Sequence, residues 1–233
     1  MAAVSLMNKN TRSTFAPFRD AICSADSFAI FFCMKRIFSL LAALSLTACT
    51  TQSDSETTTL SKPNILSRSE WNAHPPNSPM KKHTARFITI HHTATLQKPA
   101  VTLGEKLRNL QTFSQNAGTL AGGKSKPPWP DVPYHFYIDC NGDIGEGRDL
   151  AFAGDTNTEY DPTGHLLVTL EGNFEVEQPT EAQMKSTRKL VAWLAKRYKI
   201  PAAKIASHKD YARTACPGKN LYNRLDEIRD HIH

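Results

Sequence analysis

Apolar and β-branched residues crowd into Arg86–His92 (RFITIHH), and this run predicts a central strand. Beyond it, Leu103, Leu107, Leu110 and Phe113 recur every three or four positions, which predicts a helix that Gly118 could end. Residues 119–130 (TLAGGKSKPPWP) are rich in Gly and Pro and read as a loop. Tyr134–Cys140 then reads as a strand, Asn141-Gly142 as a tight turn, and Ile144–Gly147 as the returning partner. His165–Leu170 is a further strand. Thr180 followed by Gln183 is a capping-box signature, and the helix it opens carries Met184, Leu190, Val191, Leu194 and Tyr198 on one face, with Pro201 after its end. A last helix is expected to carry Leu221, Leu225, Ile228 and Ile232. Strands and helices alternate without an internal repeat, so the expected fold is mixed α/β, a mixed β-sheet flanked by helices in one domain over residues 65–233.

The start of the chain follows a different pattern. From Met34 the sequence reads MKRIFSLLAALSLTAC: Lys35 and Arg36 precede an apolar run too short to span a bilayer, which is the logic of a secretory signal. Leu46-Thr47-Ala48-Cys49 resembles the lipobox of bacterial lipoproteins, which implies that 34–48 is the signal, that Cys49 becomes the lipidated first residue, and that Thr50 after it favours the outer membrane. Residues 1–33 fit poorly before such a signal and are expected to be an over-extended reading frame. Residues 49–64, rich in Ser and Thr, read as a flexible tether.

The formal charge is +6, but half of it lies in residues 1–49, and no basic stripe is interleaved with aromatics. A nucleic-acid partner is therefore not expected. The five cysteines, Cys23, Cys33, Cys49, Cys140 and Cys216, fit no disulfide scaffold and no paired Cys-x-x-Cys zinc motif. Cys140 reads as a small half-buried strand residue.

Two segments bear chemistry. One puts His91 and His92 at the end of a strand. The other, His208-Lys209-Asp210-Tyr211-Ala212-Arg213-Thr214-Ala215-Cys216-Pro217-Gly218, ends on a cysteine. Imidazole and thiolate suit zinc, and two histidines with one cysteine leave a fourth position open, as in a catalytic site. Spacing alone does not single such a site out. Strand alternation allows only one of His91 and His92 to face it.

FITIHHTAT, VPYHFYIDCNGDIGEGRD, LEGNFE and SHKDYARTACPG, in that order, resemble the type-2 N-acetylmuramoyl-L-alanine amidases and peptidoglycan recognition proteins. The resemblance spans about Trp71 to Tyr222 and implies a zinc amidase that cuts between N-acetylmuramic acid and L-alanine. It implies zinc ligands at His91, His208 and Cys216, an active-site tyrosine at Tyr134, and a functional position at Thr214. His92 is then a packed or supporting residue. Where some members carry a catalytic glutamate this chain has Thr169, and Glu171, two residues on, either substitutes for it or is an unrelated surface carboxylate. Peptidoglycan or a muropeptide is the implied substrate, and a monomer anchored to a membrane by its lipid is expected. A non-catalytic peptidoglycan-binding module is the alternative. A cysteine hydrolase built on Cys216 and His208 lacks an oxyanion-loop context. Trp71 and Trp193 are expected in the core, and His74, His83, His135 and His165 at the surface or in structural roles.

Overall fold

A computed structural model describes residues 60–120 and 123–232. The proposed extension, the signal and Cys49 lie outside the described residues, as does most of the tether. Five strands form one sheet: β1 (Phe87–His92), β4 (Phe136–Ile138), β5 (Ile144–Glu146), β6 (His165–Leu170) and β7 (Ile205–Ser207), in the order β5-β4-β6-β1-β7. β4, β6, β1 and β7 run parallel, and only β5 at the edge is antiparallel, paired to β4 across the Asn141-Gly142 turn. The mixed α/β expectation is met.

Side-chain alternation divides the sheet into two unlike faces. Ile88 and Ile90 of β1, Phe136 and Ile138 of β4, and Leu166, Val168 and Leu170 of β6 join one core with α2 (Glu181–Tyr198) and with the short helices α3 (Lys219–Tyr222) and α4 (Leu225–Arg229). Across the other face lies α1 (Leu103–Gln115), whose Leu103 and Leu107 pack with Trp71, Val132 and Tyr137. Thr89, His91 and Thr169 alternate with the apolar set, and all three are buried. One face is thus a hydrophobic seal, and the other carries polar groups toward the strands' carboxyl ends.

Both long helices start on full capping boxes, Thr102 with Glu105 and Thr180 with Gln183. α2 ends on Lys199 in the left-handed conformation, two residues before Pro201.

Several local expectations are corrected. Helix α1 ends at Asn116, so Gly118 is not its stop but belongs to β2 (Gly118–Thr119), which pairs with β3 (Ser125–Lys126) inside the expected loop. Phe113 is exposed because α1 turns Gln111 and Ser114 inward; Gln111 bonds Asp131 at 2.7 Å, while the Phe113 ring covers the buried Lys126 ammonium. The strand expected from Tyr134 to Cys140 shrinks to its central three residues, leaving Tyr134 in the approach and Cys140, free and buried, in the turn beyond. The last helix is broken at Arg224, where the guanidinium holds Glu181 and Glu227, although Leu221, Leu225 and Ile228 all remain buried. Trp71 is buried with its indole N–H donated to Glu146 O at 2.8 Å, whereas Trp193 is only partly buried against the core.

Candidate metal centre

The carboxyl ends of parallel strands are where open α/β sheets place their sites, because the loops leaving adjacent strands diverge there. β1 ends on His91 and His92, and β7 runs directly into a turn at His208–Asp210. Asp210 fixes that turn by accepting the Ser207 N–H and hydroxyl at 2.7 and 2.8 Å. The following loop closes on itself, with Lys209 N–H donating to Cys216 O at 2.9 Å. His208 and Cys216, eight residues apart, are thereby brought side by side. Gly218 completes the closure with φ +86°; a Cβ there would come within 2.5 Å of the Phe174 carbonyl carbon.

One ligand atom from each of His91, His208 and Cys216 lies within 4.8 Å of the others. His91 Nδ1 is 3.6 Å from Cys216 Sγ. Tetrahedral nitrogen and sulfur ligands at about 2.0–2.1 and about 2.3 Å from zinc stand about 3.5 Å apart, so this pair is spaced to share an ion. The unpaired groups point the same way. Among the described residues, the buried side-chain polar atoms with no hydrogen-bond partner are His91 Nε2, Thr169 Oγ1 and Tyr160 Oη. Thr169 sits opposite His91 in the β1–β6 pairing, and the Tyr160 ring is 5.3 Å from the His208 ring. Leaving polar atoms unpaired in the interior is costly, and functional sites are where that cost is tolerated. The donor set therefore fits zinc.

Burial sets the protonation of these groups. It holds His91 well below the usual histidine range and brings His208 down to about 4, so both rings are neutral, the form that can ligate. Burial also pushes the Cys216 thiol up to about 12; its thiolate needs a cation beside it. Tyr134 stands with its ring 5.2 Å from that of His91. Burial, then the nearby Cys216, raises its phenol above the ordinary tyrosine value, so the hydroxyl stays a donor.

The remaining expected site residues are placed as follows. His92 turns to the other side of β1: its ring accepts the Phe174 N–H at 3.3 Å, and its backbone N–H points at Cys216 Sγ at 3.4 Å. Thr214 lies in the ligand loop and accepts the Cys216 N–H at 3.2 Å. Glu171 is not at the surface. It is buried, ion-paired to Lys106 at 2.8 Å, and accepts the backbone N–H groups of Cys140 and Lys98 at 2.9 and 3.1 Å. Sequence reasoning did not find Thr156, Thr158 or Tyr160, which come from a polar loop with no periodicity, yet all three border His208.

The sequence profile of the N-acetylmuramoyl-L-alanine amidase family, Amidase_2, matches residues 81–219, a span that contains every one of these groups. This chain belongs to that family. Its relatives include peptidoglycan-recognition protein SD of Drosophila simulans, 31% identical over 171 residues, or 70% of this chain and 84% of that protein. The solved Drosophila peptidoglycan recognition protein SD superposes with a TM-score of 0.62 at 28% identity, covering 72% of this chain and 95% of the other. The N-acetylmuramoyl-L-alanine amidase LysC from Clostridium intestinale URNW gives 0.56 at 26% identity, covering 72% and 97%. Both amidases and recognition proteins thus share the fold of this Amidase_2 chain.

Proposed function

We propose that this chain is a zinc-dependent hydrolase of the amide bond between N-acetylmuramic acid and L-alanine, in peptidoglycan or its fragments. The observation that carries this reading is the closeness of His91, His208 and Cys216, two neutral imidazoles and a thiol with ligand atoms within 4.8 Å of one another. These three would hold the ion. When bound, zinc supplies Lewis acidity to the amide carbonyl and acidifies a water molecule.

The chain's own groups account for orientation and charge. Tyr134, kept protonated by burial, donates a hydrogen bond to the oxygen on which charge develops as the carbonyl is attacked. Thr214 holds the cysteine-bearing loop through the Cys216 N–H. Glu171, engaged by Lys106 and by backbone N–H groups, fastens the Lys98 region of the β1–α1 loop; this favours a supporting role over direct proton transfer.

The second reading, a binding module that hydrolyses nothing, draws on the recognition proteins among the relatives. Purified protein should release stem peptide from peptidoglycan, and a chelator should abolish the release until zinc is restored. Sedimentation with peptidoglycan and no released peptide, with zinc bound, would establish the binding module instead.

The lipoprotein features lead us to infer that residues 34–48 are cleaved and Cys49 lipidated, which puts a monomeric domain at the periplasmic face of the outer membrane. Lys35, Arg36, the apolar run and Leu46-Thr47-Ala48-Cys49 support this.

A further inference from the structure

We propose that Thr158 is a positioning residue of the metal centre, one that sets which ring nitrogen of His208 is free to ligate. This inference rests on the zinc reading above. His208 Nε2 lies 2.8 Å from Thr158 Oγ1 and 3.4 Å from Thr156 Oγ1. The two hydroxyls are themselves 2.8 Å apart, and Thr158 N–H donates to Thr156 Oγ1 at 3.2 Å. Donors and acceptors can be assigned in one consistent direction: Nε2–H donates to Thr158 Oγ1, and the Thr158 hydroxyl donates on to Thr156 Oγ1. In that arrangement the Nδ1 lone pair of His208 is left for the ion.

The opposite arrangement, in which a threonine hydroxyl donates to Nε2, would put the hydrogen on Nδ1 and block ligation there. A partner on the far nitrogen is the usual device for fixing tautomer and ring orientation in metal-bound histidines. A carboxylate or backbone carbonyl can only accept, whereas a hydroxyl can take either role. Thr156 Oγ1 accepts the Thr158 backbone N–H and keeps a second lone pair to receive the Thr158 hydroxyl, which is the direction the proposal assigns.

The loop that carries these threonines is tied to its neighbours. Asp155 is ion-paired with the buried Arg148, and Asn157 O accepts from Lys124. Glu159 accepts the backbone N–H of Arg213 at 3.2 Å, inside the segment that joins His208 to Cys216. The loop therefore grips the ligand segment at two points, His208 itself and Arg213. Nothing else among the described contacts reaches the far side of the His208 ring by hydrogen bond.

Thr158→Val keeps the shape and removes the hydroxyl, while Thr158→Ser restores it. Zinc affinity is measured by competition with a chromophoric chelator, with thermal stability in parallel. Thr158→Val is expected to weaken zinc binding about 10–100-fold, the range for loss of such a partner, with an unchanged melting temperature of the zinc-free protein; Thr158→Ser should bind like the parent. Ring-nitrogen chemical shifts of His208 in zinc-free parent protein should show hydrogen on Nε2, a readout that needs no variant to fold. Thr158→Val binding zinc as tightly as the parent, or hydrogen found on Nδ1, overturns this inference alone. A parent that takes up no zinc overturns it together with the reading beneath it.

Discussion

Tyr134 owes its proposed role to a hydroxyl kept protonated by burial and held beside His91. Tyr134→Phe removes only that oxygen, so the ring should still pack and zinc should still bind. Removing one donor to a developing oxyanion typically costs on the order of 10²–10³ in kcat, and a contact made only in the transition state leaves KM nearly unchanged. Steady-state kinetics on a muropeptide, with zinc content measured alongside, test this; wild-type kcat at full zinc occupancy would return Tyr134 to a packing role. Two other histidines bear on stability. His135 is buried and uses both ring nitrogens in the neutral form, accepting the Leu167 N–H at 2.8 Å and facing Phe152 O at 2.9 Å. Burial depresses it to about 3, and depresses His165, bonded to Thr89 at 2.8 Å, to about 4. A depressed histidine stabilises the fold above its unfolded value of about 6.5, and that contribution fades as pH falls below it. Urea unfolding from pH 7 to pH 5 should show stability falling with acid by up to about 1.4 kcal/mol per pH unit for each such group. His135→Asn should flatten the slope, and an unchanged slope would exclude His135 as its source.

The elements are joined by side chains that serve two structures at once. Thr180 caps α2 by accepting the Gln183 N–H at 3.0 Å and also donates to Cys140 O at 2.8 Å, tying the helix to the β4–β5 turn. Thr180→Ala should therefore cost about 1–2 kcal/mol, the upper part of the range for a lost cap, read as a shift of the denaturant midpoint at constant slope. A shift below about 0.5 kcal/mol would mean that water replaces both bonds. The same turn needs Gly142, at φ +86°, because a Cβ there would meet Ala182 O at 2.8 Å. Beneath α1, Lys106 bridges Asp139 and Glu171 at 3.1 and 2.8 Å with all three side chains buried. Removing one partner of a buried pair leaves an uncompensated charge, which is why Glu171 variants need stability measured before their kinetics are interpreted.

For the molecule as a whole, location is proposed to follow from the segment before the domain. No described helix is long and apolar enough to cross a membrane, and the proposed anchor is the lipid on Cys49. Cys49→Ser should move the protein from the membrane fraction to the soluble one, because the acyl chains supply the affinity. A variant that stays with the membrane would reveal another attachment. Deleting residues 1–33 should leave processing at Cys49 unchanged.

Elements whose signals are local can be read directly from the order of residues. β6 falls on His165–Leu170 because Leu166-Leu167-Val168 and Leu170 give a short apolar, strand-length segment, and α2 starts after Thr180 because a capping box is written in four neighbouring residues. The sequence also carried the three metal-ligand candidates, though only through the resemblance of the motifs that hold His91, His208 and Cys216, since spacing alone did not single them out. Tertiary structure alone decided the rest. β7 has three residues and is a strand only because β1 pairs with it, and the hairpin of β2 and β3 exists in a stretch whose Gly and Pro read as loop. Glu171 looked like a possible surface group until Lys106, 65 residues away in the chain, proved to be its partner. Thr156 and Thr158 meet His208 across about 50 residues, and no periodicity or spacing encodes such a contact. Local propensity and capping act over a few residues and are legible in order, whereas partners of a buried polar group are chosen by the packing of distant segments.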